Sequence, residues 1–504
     1  MRQSALTLAI ILALGAMLRF VGIGSGIPFN IGVDEPEIMD RAVAMMRTGD
    51  LNPHFFDYPG LYFYVQLVVA CLRFMAGASA GYWTSLDQVS SADFYLWGRA
   101  VTALFGTLTV LLTYFVGMRW GTRYAALAAG LMAVMPLHVR ESHYVLTDVP
   151  LTFFVTLTLL LTLRAAERER AIDFAWAGAA AGLAAGTKYP GALSLLLPLI
   201  AVWMTLGAKP SRALASLSVL GGAAAAFLVA APYTVLDLPA FLNGYAHLAG
   251  YYSPKALPEP ASVTYFKHLS RSMAWPAFLL VLTGFGLGAV RAIRGPGRVR
   301  WTVTIVFPLV YYYFLSGQTL VFGRYLLPLL PFVCLLAAAG CVSGVSLLRR
   351  FDIPRAARTA IIVGITVAAL LPPAWQSLAF MRALTRTSTV EQAHVWMIDH
   401  LPKGASIVIE TQGLLAPKQF KSRNVPQLVL DYRAPQEYAD YVASGVEYIV
   451  ASSQKYGDAM TKPHEHPDLY AAYMRLFTQS REIARFKQDP QHPGPELRIY
   501  KLKP

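Results

Sequence analysis

Three carboxylates stand within four residues in the stretch NIGVDEPEIMDRA at 30–42, directly after a hydrophobic N-terminal segment. One interpretation is a helix start, in which Asp34 is the N-cap and Glu37 completes a capping box, with Pro36 in the first turn. This interpretation leaves Glu35 unexplained, and it gives no reason for the position at the membrane boundary. The other interpretation is an active site where the chain leaves the lipid.

Further charged residues are expected at the same membrane depth. A short loop before an apolar run, in the stretch HVRESHYVLTDVP at 138–150, carries Arg140, Glu141, His143 and Asp148. Isolated cations also stand at the ends of predicted spans, namely Arg99, Lys188 and Arg324. Snorkelling to the head-group region would explain any one of these cations. Hydrogen bonding at the interface would explain the histidines of the loop, which have no partners at metal-ligand spacing.

Carboxylates opposite cations at a lipid boundary suit transfer from a lipid-linked phosphate. In a sugar carried by a polyprenyl phosphate, the reactive carbon is bonded to a phosphate leaving group, whose charge Arg or Lys can neutralise. A carboxylate can accept the proton of the attacking hydroxyl. Because protein cations can hold a monophosphate, this chemistry requires no metal and no other cofactor.

The composition is that of a membrane protein. Of the 504 residues, 55% are hydrophobic and only 14% are charged, against about 25% charged in soluble domains. The net charge of +14 is explained by basic cytoplasmic loops, so nucleic acid is not expected as a partner. The three cysteines lie in apolar stretches and imply no disulfide framework. The N-terminal stretch is interpreted as an uncleaved first helix.

Eleven apolar stretches are long enough to cross a bilayer. They are 5–24, 99–118, 123–138, 148–165, 172–187, 190–206, 212–232, 275–292, 300–316, 324–347 and 357–376. Alternate connections are rich in Lys and Arg, which places them in the cytoplasm. With Arg2 also inside, the number of spans must be odd, so 58–77 is expected to lie in the interface without crossing. If 58–77 crosses, the N-terminus is outside and the acidic loop is inside.

Two domains are expected from the change in composition near residue 380. Residues 1–379 would form the transmembrane catalytic domain, with a first outer loop at 25–98. Residues 380–504 would form a small α/β domain on the extracytoplasmic side, with a helix at 467–479. Its predicted strands are 405–411, 426–433, 446–453 and 495–502.

Several motifs in order resemble those of a known enzyme superfamily. They are VDEPEIMDRAVAMMRTGDLNP with FDYPGLYFYV, WGRAVTALFGTLTVLLTYFVG, HVRESHYVLTDVPLTFF, AAGTKYPGAL and FGRYLLPLLPF. Together they resemble the GT-C glycosyltransferases, and more narrowly the protein O-mannosyltransferase and lipid A aminoarabinose transferase group. The resemblance covers about residues 1–350, and 385–409 resembles the segment that opens the outer domain of bacterial members.

This resemblance implies an inverting glycosyltransferase that uses a polyprenyl-phosphate sugar at the outer face of the inner membrane. It implies that Asp34 is the catalytic base with Glu35 beside it, that Asp148 is a second catalytic acidic residue, and that Arg99 contacts the lipid phosphate. Our own placement of the charges adds Lys188 and Arg324 as phosphate ligands. The other residues expected to line the site are Tyr58, Arg140, Glu141 and His143. One departure stands at 57–59, where Asp-Tyr-Pro replaces a lysine and two prolines.

Two other classes of function compete with the enzyme. A transporter or lipid flippase also has many spans and charges in the membrane, but it is expected to show paired repeats with broken helices, which this sequence lacks. A non-enzymatic assembly protein would use the outer domain for docking and would tolerate replacement of the loop carboxylates. The sequence leaves open the sugar, the lipid carrier and the acceptor, which is a protein, a glycan or a lipid.

Overall fold

The computed structural model describes residues 2–28, 32, 34–207, 209–251, 259–295, 297–348, 351–410, 419–424 and 438–502. The chain divides into two compact units, residues 1–23 with 37–380 and residues 24–36 with 381–504. The roles assigned to 1–379 and 380–504 from the sequence stay predictions.

The chain up to residue 384 is helical. Its α-helices are α1 (Arg2–Phe20), α2 (Glu35–Thr48), α3 (Leu61–Ser79), α4 (Tyr95–Gly117), α5 (Thr122–Val134), α6 (Pro136–Glu141), α7 (Asp148–Arg168), α8 (Ala171–Thr187), α9 (Leu196–Thr205), α10 (Lys209–Ala230), α11 (Tyr233–Leu236), α12 (Leu238–Tyr251), α13 (Ala261–Arg294), α14 (Arg298–Ser316), α15 (Leu330–Leu348) and α16 (Arg355–Leu384). Short 3₁₀ segments occupy Leu86–Gln88, Ser91–Asp93, Tyr189–Leu195 and Gly323–Leu329.

Helices occupy all eleven stretches predicted to span the membrane. Among the described residues, seven helical segments are long and apolar enough to cross, and three shorter apolar helices accompany them. The predicted polytopic helical fold is therefore confirmed. One of the seven is α3, within the segment expected to stay in the interface; by length and composition alone it could cross, and its interfacial placement stays a prediction.

The main core of the first unit joins ten helices, α4 to α9 and α13 to α16. Buried side chains from α5, α7, α13, α14 and α15 meet there, for example Leu131, Val155, Met273, Phe307 and Leu336. Burial of apolar surface fixes how these helices pack. The ends of the same helices, together with the 3₁₀ segment at Gly323–Leu329, position the polar residues described below.

Helices α8 and α10 approach closely through glycine. A Cβ atom added at Gly178 would lie 2.1 Å from the carbonyl oxygen of Val219, and one at Gly182 would lie 2.2 Å from that of Ala223. From the other side, a Cβ at Gly222 would lie 2.3 Å from the carbonyl oxygen of Ala175. Small residues at such contacts let helix backbones pack within a membrane. This packing fixes the axis of α8, whose C-terminal end carries Lys188.

The second unit contains a five-stranded sheet with helices on both faces. Its elements are α17 (Thr389–His400), β1 (Ser406–Ile409), β2 (Lys421–Asn424), α18 (Tyr438–Ala443), β3 (Tyr448–Ser452), α19 (Ser453–Thr461), α20 (Pro467–Gln479), β4 (Arg481–Phe486) and β5 (Leu497–Lys501). The strand order is β2-β1-β3-β5-β4. Strand β1 runs parallel to β2 and β3, whereas β5 runs antiparallel to β3 and β4. The predicted small α/β domain is confirmed.

The two faces of the sheet have separate cores. On one face, α17 packs its residues Ala393 and Met397 with Ile407 of β1. On the other face, α20 packs Tyr473 and Leu476 with Ile449 of β3. The alternation of side chains along each strand produces this division.

Three of the four predicted strands correspond to β1, β3 and β5. The fourth, 426–433, lies outside the described residues. Strands β2 and β4 were not predicted, and both are edge strands of the sheet.

Candidate functional site

Three of the predicted charged residues form one cluster. The Lys188 Nζ atom lies 2.7 Å from Asp148 Oδ1, and the Arg324 Nε atom lies 3.7 Å from Asp148 Oδ2. They come from separate elements: Asp148 begins α7, Lys188 follows the last residue of α8, and Arg324 is in the 3₁₀ segment at Gly323–Leu329. Asp148 therefore stands at the N-terminal end of α7, where the helix dipole is positive.

Aromatic rings cover the cations of the cluster. The Lys188 Nζ atom is 4.3 Å from the Tyr325 ring centroid and 5.7 Å from that of Tyr58. The Arg324 guanidinium carbon is 4.7 Å from the Phe322 ring centroid and 5.8 Å from that of Tyr325. These distances allow cation–π attraction. The rings therefore orient both cations while they restrict access of water.

The cluster is largely buried. Both cations contact Asp148, and the side-chain exposures rise from 3% for Asp148 to 10% for Lys188 and 19% for Arg324. Buried ion pairs are weak contributors to stability because desolvation offsets their attraction. Such a group suits the binding of an incoming anion, which can take over part of the pairing with the cations.

The segment 56–59 connects the cluster to the loop that follows α2. The Tyr189 hydroxyl, next to Lys188, donates a hydrogen bond to the Phe56 carbonyl at 2.8 Å. Asp57 stands between Phe56 and Tyr58. Burial raises the pKa of Asp57 above its ordinary value, although the charges of His247 and Arg41 act in the opposite direction. Asp57 therefore stands between two residues that contact Tyr189 and Lys188.

Arg99 has a different set of contacts. It is 1% exposed, its Nη1 donates to the Ile23 carbonyl at 3.0 Å, and its guanidinium carbon is 5.4 Å from the Tyr144 ring centroid. These contacts join α4 to the end of the first helix and to the loop after α6. The role of Arg99 at a lipid phosphate stays a prediction.

Arg140 and Glu141 pair with each other. Arg140 Nη2 and Glu141 Oε1 are 2.6 Å apart, and the arginine side chain is half exposed whereas that of the glutamate is nearly buried. Within the first unit, this pair sits on α6, eight and seven residues before Asp148. That Arg140 and Glu141 line the site stays a prediction.

His143 is buried, and carbonyl oxygens face both of its ring nitrogens. Nδ1 lies 2.8 Å from Val139 O and Nε2 lies 3.1 Å from Val21 O. Burial lowers the pKa of His143 below its ordinary value. The two carbonyl groups act in the opposite direction, because they favour the charged ring. These contacts fix the loop after α6, and they give His143 a structural role besides its predicted one.

The sequence patterns did not point to Arg19, although it contacts the segment that precedes this loop. It is fully buried in α1 and donates to the carbonyls of Ala133 at 2.9 Å and Met132 at 3.0 Å. These are among the last carbonyls of α5, which have no partner within their own helix. Its Nη2 also lies 3.1 Å from His138 Nδ1. An arginine in the last turn of an apolar helix was the available signal, because a cation near the membrane needs acceptors.

Asp34 and Glu35 belong to the second unit. Helix α2 begins at Glu35, so the predicted helix start is present and Asp34 directly precedes it. Glu35 is fully buried and accepts a hydrogen bond from the Gly32 backbone N–H at 2.6 Å. Glu37, which was expected to complete the capping box, instead pairs with Arg41 four residues later at 2.6 Å. The helix-start interpretation left Glu35 unexplained. In the structure, Glu35 is the carboxylate that accepts a hydrogen bond from the preceding backbone, at Gly32.

The structure thus brings together four predicted site residues, Tyr58, Asp148, Lys188 and Arg324, and adds Tyr325. Tyr325 follows Arg324 directly in the chain, and a tyrosine beside a membrane-boundary cation was the signal that could have identified it. The predictions that Asp34 is the base and that it shares a pocket with Asp148 and Arg99 stay predictions.

A separate cavity of about 570 Å³ opens near the other end of α7. Its lining includes Leu8, Tyr114, Arg119 and Arg164. Arg164 lies sixteen residues after Asp148, which is about 24 Å along a helix. Cavity size by itself would indicate this location as a binding site, but the charged cluster lies at the opposite end of the helix.

One protein family matches part of the chain. Residues 63–243 match the family described as dolichyl-phosphate-mannose-protein mannosyltransferase. The matched segment includes Arg99, Asp148 and Lys188. A comparison with curated proteins finds no match.

Solved structures share the fold over nearly the whole chain. The oligosaccharyltransferase of Archaeoglobus fulgidus without ligand is 14% identical, with a TM-score of 0.61 over 93% of this chain and 72% of that one. The same archaeal enzyme, AglB, in complex with an inhibitory peptide and a dolichol-phosphate gives a TM-score of 0.58 at 14% identity, over 93% and 72%. ArnT from Cupriavidus metallidurans bound to undecaprenyl phosphate is 14% identical, with a TM-score of 0.53 over 98% and 97%.

These structures confirm the predicted fold, which they share at low sequence identity. The match of 63–243 to a mannosyltransferase family bears out the prediction of a glycosyltransferase over that part of the chain. The chain is a multi-pass membrane protein.

Proposed function

We propose that this chain, which has the fold of the GT-C glycosyltransferases, transfers a sugar from a polyprenyl-phosphate donor to a hydroxyl group at the extracytoplasmic face of the inner membrane. The observation that carries the proposal is the buried cluster in which Lys188 and Arg324 share Asp148 beneath Tyr58 and Tyr325. Two neighbouring buried cations suit the phosphate of the donor.

The comparisons support a polyprenyl-phosphate donor. AglB was solved with a dolichol-phosphate and ArnT with undecaprenyl phosphate. In this chain, Lys188 and Arg324 hold the donor phosphate, and Arg99 assists them from α4. Asp148 keeps Lys188 in position at 2.7 Å before the donor binds. The pairing of Asp148 with two cations also stabilises its negative charge close to the reacting groups.

The reaction is a single displacement at the sugar carbon. Asp34 accepts the proton of the acceptor hydroxyl, the hydroxyl oxygen bonds to the sugar carbon, and the bond from that carbon to the phosphate oxygen breaks. Polyprenyl phosphate leaves with the electron pair, and Lys188 and Arg324 stabilise its added negative charge. Attack opposite the leaving group inverts the sugar carbon. Glu35 orients the loop of Asp34 through its bond to Gly32.

The orientation follows from the charge of the connections. The basic connections at 117–124, 164–171, 207–212, 291–300 and 349–358 are placed in the cytoplasm by the positive-inside rule. The N-terminal ends of α4 and α7 and the C-terminal end of α8 then lie on the outer side. The charged cluster and the small α/β domain are therefore extracytoplasmic.

The Asp34→Asn variant tests the proposal. General-base catalysis contributes about 10²–10⁴-fold in rate, so release of polyprenyl phosphate from a panel of polyprenyl-phosphate sugars should fall at least about a hundredfold. Glu37→Gln is the matched control, because Glu37 is an exposed carboxylate of the same segment that pairs with Arg41. Membrane insertion should be unchanged in both variants. Wild-type turnover by Asp34→Asn would refute the assignment.

A further inference from the structure

Helix α3 carries a single charged residue, Arg73, within an otherwise uncharged and mostly apolar sequence. Nothing in the proposed reaction uses it. None of the salt bridges formed by the described residues includes Arg73, and its buried Nε atom makes no hydrogen bond in that part of the chain. A cation in an apolar helix without a carboxylate partner is expected to have another counter-charge.

Aromatic rings surround the Arg73 guanidinium instead. Its central carbon is 4.6 Å from the Trp83 ring centroid, 5.7 Å from that of Trp97 and 5.9 Å from that of Tyr82. The rings attract the cation and orient it, but they do not neutralise its charge. Trp and Tyr concentrate at the head-group level of membranes. The ring cluster therefore places Arg73 at that level.

The surroundings of Arg73 are accessible to a lipid. Near the guanidinium, Tyr82 is 71% exposed and Trp97 is 49% exposed. Another face of α3 exposes Val68, Leu72 and Met75, each by more than half, so the helix also presents an apolar surface. The cation is therefore framed by two amphipathic rings on an apolar helix.

We propose that Arg73, with Tyr82, Trp83 and Trp97, forms a binding site for one anionic phospholipid, whose phosphate contacts the guanidinium. A lipid with net negative charge is favoured over a zwitterionic one, because the latter brings its own ammonium group. The site is independent of the sugar transfer, since it uses none of the residues of the charged cluster.

Native mass spectrometry of the full-length chain tests this site. The protein is extracted from vesicles of equal parts phosphatidylglycerol and phosphatidylcholine, and retained lipid is counted. The wild type should retain about one phosphatidylglycerol per chain in preference to phosphatidylcholine. Arg73→Met should lower this retention at least about fivefold, and Arg73→Lys, which keeps the charge without the planar group, should have an intermediate effect.

Arg294→Met is the control, because Arg294 is an exposed arginine in the last turn of α13, at the end predicted to be cytoplasmic. Its phosphatidylglycerol retention should equal that of the wild type. Unchanged retention by Arg73→Met would overturn the proposal. Should that variant fail to fold, equal retention of the two lipids by the wild type would overturn it as well.

Discussion

At the scale of single residues, the informative feature is an ion pair that is poised to exchange partners. Lys188 is held between Asp148 at 2.7 Å and the Tyr325 ring at 4.3 Å. Because Asp148 also lies near Arg324, a phosphate that draws Lys188 away does not leave the carboxylate unpaired. This sharing keeps the cost of breaking the pair low, since an isolated buried charge would be strongly unfavourable.

Replacement of Lys188 by Gln should weaken donor binding. Hydrogen bonds to charged groups contribute about 1.5–3 kcal/mol, so the KM for the polyprenyl-phosphate sugar should rise about 10- to 100-fold. Lys188→Arg should recover part of this loss. Steady-state kinetics with varied donor would measure the change, with Lys267→Gln as the control, because Lys267 is an exposed lysine paired with Glu259. An unaltered KM in Lys188→Gln would remove Lys188 from the donor site.

At the scale of elements, the site depends on helix ends that meet at one level. Asp148 begins α7, Lys188 directly follows α8 and Arg324 stands in the 3₁₀ segment before α15. A helix rises about 1.5 Å per residue, so sliding α8 by one residue would move Lys188 by about half of its 2.7 Å separation from Asp148. The glycine contacts between α8 and α10 prevent such sliding, because the backbones touch directly.

An added methyl group at this contact should destabilise the protein. A Cβ at Gly222 would lie 2.3 Å from the Ala175 carbonyl oxygen, so Gly222→Ala must separate the helices. Overpacking of this kind costs about 1–3 kcal/mol, which thermal unfolding in detergent would detect as a lower Tm. The neighbouring Gly221 has open space around its Cβ position, so Gly221→Ala should leave the Tm unchanged or raise it. Equal Tm values for the two variants would contradict the close contact.

At the scale of the whole molecule, charge and hydrophobic length together determine the orientation in the membrane. The net charge of +14 is concentrated in alternate connections, and the positive-inside rule assigns those connections to the cytoplasm. Whether α3 crosses decides whether the total number of membrane spans is odd or even. If α3 lies in the interface, the residues before and after it are on the same side of the membrane; if it crosses, they are on opposite sides.

Cysteine labelling should distinguish these topologies. In a variant without the native cysteines, an impermeant maleimide should label exposed positions in intact cells at Thr48→Cys, Ser85→Cys and Ser444→Cys. Thr122→Cys, in a basic connection, should react only after the cells are permeabilised. All four variants should react in permeabilised cells, which controls for accessibility. Labelling of Ser85→Cys but not Thr48→Cys in intact cells would show that α3 crosses.

The sequence predicted most of what depends on local properties. Hydrophobic length identified the helices, because the cost of exposing a polar backbone to lipid acts on each segment separately. The sequence also identified Asp148, Lys188 and Arg324, since charges at span boundaries are conspicuous in an apolar chain. Strands β2 and β4 were missed because they are edge strands, and β4 is mostly exposed or partly exposed along its length, which leaves no continuous apolar pattern.

By itself, then, the sequence determined that the protein is a polytopic membrane protein and which residues carry charge at the ends of its helices. Only the tertiary structure decided that Lys188 and Arg324 share Asp148, that Tyr325 covers Lys188, and that Arg73 faces aromatic rings. The physical reason is that these pairings depend on helix packing between residues far apart in the chain. The direct backbone contacts at Gly178, Gly182 and Gly222 belong to the same packing.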